Sequence, residues 1–120
     1  MSDSARVRQR IRVTRIPIRY LAEGREAIGH LKNVSRSGLF IRAPELPRPG
    51  AVVALQFRSP TGTLVDVRGE VRWTTAGLDA PNVRPGFGVL LHEPARQFVD
   101  FFRWVIGQLD PEKGDETQIL

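Results

Sequence analysis

The sequence predicts a small, mainly β domain, with six strands forming a barrel and one helix at the C-terminal end. Three observations carry that prediction. Six apolar-rich runs are separated by corners containing Gly or Pro, the punctuation expected of short barrel strands. One run alternates clearly, with Val65, Val67, Val71 and Trp73 on one side and Asp66, Arg68, Glu70 and Arg72 on the other. That period of two marks a sheet with one buried and one wet face. The last apolar run changes period: Phe98, Phe101, Phe102, Val105, Ile106 and Leu109 recur at helical spacing and define one stripe.

The elements follow in order. Arg15 to Leu21 (RIPIRYL) reads as the first strand, and Pro17 suggests an edge position or a bulge. Ala22 to Arg25 (AEGR) is a hairpin turn, and Glu26 to Lys32 a second strand whose alternation Gly29 and His30 blur. NVSRSG, Asn33 to Gly38, is a corner leading to the short strand Leu39 to Arg42. APELPRPG, from Ala43 to Gly50, is too rich in proline for regular structure. Ala51 to Arg58, Val65 to Trp73 and Phe87 to Leu91 complete the strands, joined by the turn SPTG at Ser59 to Gly62 and a loop from Ala76 to Pro85. Pro94 stands where a helix can begin. Its apolar stripe is expected to dock on the sheet, since the mixed charges of Arg96, Asp100 and Arg103 do not suit a membrane surface.

The chain has 120 residues, the size of one domain. An arginine-rich arm is expected over 1–14, the barrel and helix over 15–110, and a polar tail without regular structure over 111–120. Hydrophobic residues make up 41% and charged residues 26%, which places the chain among soluble globular proteins. No apolar run approaches the roughly 20 residues that span a bilayer. The start, MSDSARVRQR, lacks the apolar core of a signal peptide, so a cytoplasmic location is expected. The absence of cysteine excludes disulfides, thiolate nucleophiles and zinc–thiolate sites.

Little points to catalysis. His30 and His92 lie in different strands, and neither neighbours a nucleophile or a metal-ligand spacing. There is no P-loop and no dinucleotide fingerprint. GFG at Gly86 to Gly88 is too short to cradle a phosphate and reads as relief of crowding at the start of a strand. No enzymatic activity, cofactor or metal is expected.

Charge points to an anionic partner. The net charge is +5, and it is uneven: Arg6, Arg8, Arg10, Arg12, Arg15 and Arg19 lie near the start with Asp3 as the one acid among them. Arg6 with Arg10, and Arg8 with Arg12, are each an R-x-x-x-R pair. A guanidinium can fork onto phosphate oxygens, match the O6 and N7 acceptors of guanine, and stack on a purine. NVSRSG adds complementary groups: the Asn33 amide and the Ser35 hydroxyl both donate and accept, and Gly38 leaves room for a ligand or a crossing backbone.

R-x-x-x-R followed about two dozen residues later by [D/N]-x-S-x-x-G resembles the PilZ domain family. The blocks RIPIRY, SRSGLFI, RPG, GEVRW and GFGVLL fall where that family has similar ones, so the resemblance runs from about Arg6 to Leu109. It implies a six-stranded antiparallel barrel with a C-terminal α-helix, and a receptor for the bacterial second messenger cyclic di-GMP. The arginine pair would grip phosphates and guanine edges. Asn33 and Ser35, presented outward by the corner, would bond a guanine, and Gly38 would permit its close approach. The family places the second arginine just before a short hydrophobic stretch leading into the first strand. Arg12-Val13 fits that spacing best, giving Arg8 and Arg12; Arg6 and Arg10, followed by Ile11, are the alternative register. The resemblance further implies a downstream protein partner and an output in motility, biofilm or polysaccharide control. A ligand-free adaptor acting through protein contacts is the alternative, with a nucleic-acid-binding barrel as a third reading.

Overall fold

The computed structural model describes residues 11–76, 84–93, 95–108 and 118–119. Strand β1 (Ile11–Ala22) buries Ile11 and Val13, then Ile16, Ile18, Tyr20 and Ala22. The buried parity changes from odd to even because the pairing with β2 (Arg25–Val34) is irregular between Arg12 and Ile16. The strand thus begins at Ile11, four residues inside the arm expected from sequence. The turn joining β1 to β2 puts Glu23 and Gly24 at φ 53° and 77°, the left-handed pair that suits the twist of a hairpin.

The remaining strands are β3 (Gly38–Arg42), β4 (Val52–Arg58), β5 (Leu64–Thr74) and β6 (Gly86–Leu91). β1 pairs with both β2 and β4, and the sheet continues β2–β3–β6–β5–β4, every neighbour antiparallel. The ring therefore closes as the expected six-stranded antiparallel barrel, which leaves no long free edge. Pro17 stands one residue before the β4 pairing starts at Ile18, beside the irregular stretch. A seventh strand, β7 (Gln118–Ile119), runs parallel to β1 at Arg12 and Val13, beyond the reach of β4. Its two residues lie in the stretch read as an unstructured tail, and they are too few to carry a period in the sequence.

Helix α1 (Arg96–Gly107) packs on β5. Phe98, Phe101 and Val105 are buried, and Phe101 meets Phe57 of β4 edge to face at 5.0 Å between ring centres. The stripe is narrower than its sequence suggests: Phe102 is half-buried and Ile106 is 43% exposed, while Leu109 lies outside the described residues. A curved barrel wall touches a thinner band of a helix than a flat layer would.

One strand departs from its alternation. Val71 pairs with Val89, but Trp73 pairs with Gly88, so β5 carries one extra residue, Arg72. This bulge turns Trp73, expected inward beside Val71, to the outer wall, where it is 41% exposed.

Candidate ligand site on the barrel wall

Asn33 and Val34 are the last residues of β2, Ser35 to Ser37 make the corner, and Gly38 opens β3. The Ser35 N–H donates to the Gly38 carbonyl at 2.9 Å, and the Leu91 N–H of β6 donates to the Ser37 carbonyl at 2.8 Å. The corner is thus held from within and from its neighbour. Ser35 is only 9% exposed, less outward than its motif suggests, and its hydroxyl makes a long contact of 3.5 Å to the Gly38 carbonyl. A Cβ on Gly38 would lie 2.5 Å from the Val89 carbonyl oxygen. The crossing β6 backbone takes the space that this glycine leaves.

Directly opposed residues form a row across five strands. Arg12 of β1 faces Asn33 of β2, Asn33 faces Phe40 of β3, Phe40 faces Gly88 of β6, and Gly88 faces Trp73 of β5. Cα atoms so opposed lie about 4.5–5.5 Å apart, within reach of a single nucleotide. Two bulges create the row: Lys32 is the extra residue that brings Asn33 opposite Phe40, as Arg72 does for Trp73. At its far end the Phe40 and Trp73 rings stack, 5.1 Å apart and 12° from parallel. They lie over glycines. A Cβ on Gly86 would meet the Phe40 ring, and one on Gly88 the indole nitrogen of Trp73, each at 2.5 Å. GFG is indeed a relief of crowding, on behalf of two aromatic rings. Beside the row is a cavity of about 410 Å³, lined by Ser35, Ser37, Gly38, Arg72, Trp73 and Leu90 among others.

The electrostatics of this wall are one-sided. Lys32 is pushed below the ordinary lysine range, first by burial and then by the guanidinium groups of Arg42, Arg12 and Arg84. The Nε of Arg42 is buried without a hydrogen-bond partner among the described residues. Neither Lys32, Arg42 nor Arg84 makes an ion pair among those residues. Such an arrangement favours anions, and the stacked rings offer an apolar plane beside it.

Of the residues predicted from sequence, the structure brings together Arg12, Asn33, Ser35 and Gly38. Arg6, Arg8 and Arg10 lie outside the described residues. Sequence reading missed Phe40, Trp73, Lys32, Arg42 and Arg84 as members of the wall. The spacing of Gly86 and Gly88 was the available signal for the ring pair, since alternate glycines on a strand leave one face open to neighbours. Among the described residues there is no group of three or more His, Cys, Asp or Glu that could hold a metal ion. No helix among them is long and apolar enough to cross a membrane.

Comparison with known proteins agrees with this architecture. The family model described as PilZ domain matches residues 5–105. The solved structure of the Bacillus subtilis inhibitor of motility MotI/DgrA is similar in fold, with a TM-score of 0.67 at 16% identity. The similarity covers 84% of this chain and 50% of that one, so this chain spans about half the length of that neighbour. A search of curated proteins finds no match.

Proposed function

The chain belongs to the PilZ domain family, and on that footing we propose that it is a non-enzymatic receptor for cyclic di-GMP. The observation that carries the reading is the facing of Arg12 and Asn33 across β1 and β2. It joins the two halves of the binding motif, which the sequence separates by twenty residues, into one surface. In this reading the Arg12 guanidinium bonds a phosphate or a guanine edge, and Arg8 does the same from the segment before β1. Asn33 bonds a guanine, with Ser35 and the Gly38 backbone at the cavity beside it. The Trp73–Phe40 pair gives a base a face to stack on.

Ordering the arginine arm against the wall then changes the surface offered to a protein partner, a disorder-to-order switch in which new charge-assisted bonds offset the ordering cost. Motility, biofilm or polysaccharide control is the proposed class of output. The cytoplasm is where such a receptor would meet its messenger.

Isothermal titration of the full chain with cyclic di-GMP, GTP and a short oligonucleotide tests the proposal. Saturable heat with the cyclic dinucleotide alone is expected. Silence with all three would leave the adaptor role, and oligonucleotide binding with a steep salt dependence would favour nucleic acid instead. Alanine substitution at Arg6, Arg8, Arg10 and Arg12 in turn fixes the register. Losses at Arg8 and Arg12 are expected, and losses confined to Arg6 and Arg10 would reverse the assignment.

A further inference from the structure

Lys32, Arg42 and Arg84 lie outside the R-x-x-x-R and N-x-S-x-x-G motifs, yet they occupy the same wall. Their positions are set by backbone. Lys32 is the bulged residue of β2, and its neighbours Leu31 and Val34 are buried in the core. Arg42 ends β3, opposed by His30 on one side and by Gly86 on the other, so no β6 side chain stands beside it there. The backbone just after Arg84 is tied to the end of β3 by a 3.0 Å bond from the Ala43 N–H to the Pro85 carbonyl.

Cations gathered in this way repel one another. Lys32 feels both effects: its ammonium is disfavoured first by burial and then by the charges of Arg42, Arg12 and Arg84. Solvation alone does not relieve it, because the Arg42 Nε–H is buried without an acceptor among the described residues. Elsewhere on the surface three arginines meet carboxylates: Arg19 with Glu26 at 3.3 Å, Arg48 with Glu23 at 3.8 Å and Arg96 with Asp100 at 3.9 Å. Around Lys32, Arg42 and Arg84 no carboxylate pairs among the described residues, and a ligand would supply that counter-charge.

We infer that Lys32, Arg42 and Arg84 form a phosphate-binding site fixed on the barrel wall, beside the motif and independent of the N-terminal arm. A phosphate there accepts from the Lys32 ammonium and the exposed Arg84 fork, with the positive charge of the Arg42 guanidinium beside them. The group is either a free phosphate or pyrophosphate, or a phosphodiester of the ligand proposed above; only the second source rests on that proposal.

The test is side-chain and amide NMR of the full chain, titrated at constant ionic strength with inorganic pyrophosphate and, separately, with cyclic di-GMP. Pyrophosphate is expected to shift the Lys32, Arg42 and Arg84 signals saturably, and to do so equally in the Arg8→Ala protein. The Lys32→Gln/Arg84→Gln double variant should bind roughly ten-fold more weakly, the scale of losing two charge-assisted contacts at an open site. The Arg25→Gln/Arg103→Gln variant, which removes two exposed arginines elsewhere, should bind as the parent does. Shifts spread over all surface arginines, or equal weakening in both double variants, would overturn the inference. If pyrophosphate binds here and cyclic di-GMP binds nowhere, the site stands and the receptor reading falls. If cyclic di-GMP binds without moving Lys32 or Arg42, and pyrophosphate does not bind, the reverse holds.

Discussion

Two charged regions of this barrel are built from similar residues to opposite effect. Around Tyr20, a cavity of about 440 Å³ is lined by Glu23, Arg25, Glu45 and Arg48. There the charges answer each other: Arg48 reaches Glu23, and the Tyr20 hydroxyl donates to the Glu45 carbonyl at 2.7 Å. The tyrosine is held above its ordinary range, by burial first and by the Glu45 charge second. On the wall of Arg12, Lys32, Arg42 and Arg84 there is no such answer among the described residues. The lesson is that volume does not identify a ligand site in this protein. The cavity around Tyr20 is lined by charges of both signs, whereas the one beside Ser35 is lined by Arg72 and by Trp73 of the stacked ring pair.

Substitutions should separate the two regions, beginning with the largest effect. Arg12→Ala should weaken cyclic di-GMP binding by about ten- to hundred-fold, the range for losing hydrogen bonds from a charged donor. Titration calorimetry reads this directly, and Arg48→Ala in the other cavity should leave affinity unchanged. Gly88→Val should cost roughly 1–3 kcal/mol of stability by forcing the Trp73 indole off the wall. Denaturant unfolding checks this, and an unchanged midpoint would mean that the ring pair moves freely.

Trp73→Ala should spare the core, since that ring is outside it, yet weaken ligand binding by a factor set by roughly 1–3 kcal/mol of base stacking. The smallest effect concerns pH. Lys32 has a lowered pKa in the folded state, so its protonated form is a cost to folding. That cost is complete below the folded value. It fades as pH rises through that value toward the ordinary lysine range near ~10.4. Lys32→Gln should therefore raise the melting temperature slightly at neutral pH, and the gain should shrink as the solution becomes alkaline.

Sequence reading reached the barrel because its inward positions are strongly marked, as in Val65, Val67 and Val71 or Phe98, Phe101 and Val105. It placed strand ends only within a few residues, since Ile11, Gly38 and Gly86 join their strands through pairing rather than pattern. It failed where a bulge breaks parity. Trp73 continues the apolar side of β5 on paper, and one extra residue turns it outward. Lys32 gives no signal of its own, because a bulge depends on the partner strand's register as much as on its own residues. The motif residues were legible as chemistry. Their meeting was legible through the family resemblance and not from local pattern, since Arg12 reaches Asn33 only through the long β1–β2 hairpin.

The central claim is that the row from Arg12 to Trp73 is the ligand wall. Amide and indole NMR of the full chain during titration with cyclic di-GMP tests it most directly. Saturable shifts at Arg12, Asn33, Phe40 and the Trp73 indole, with Tyr20, Glu45 and Arg48 unmoved, are the predicted result. Shifts centred on Tyr20 and Arg48, or none at any ligand concentration, would contradict it.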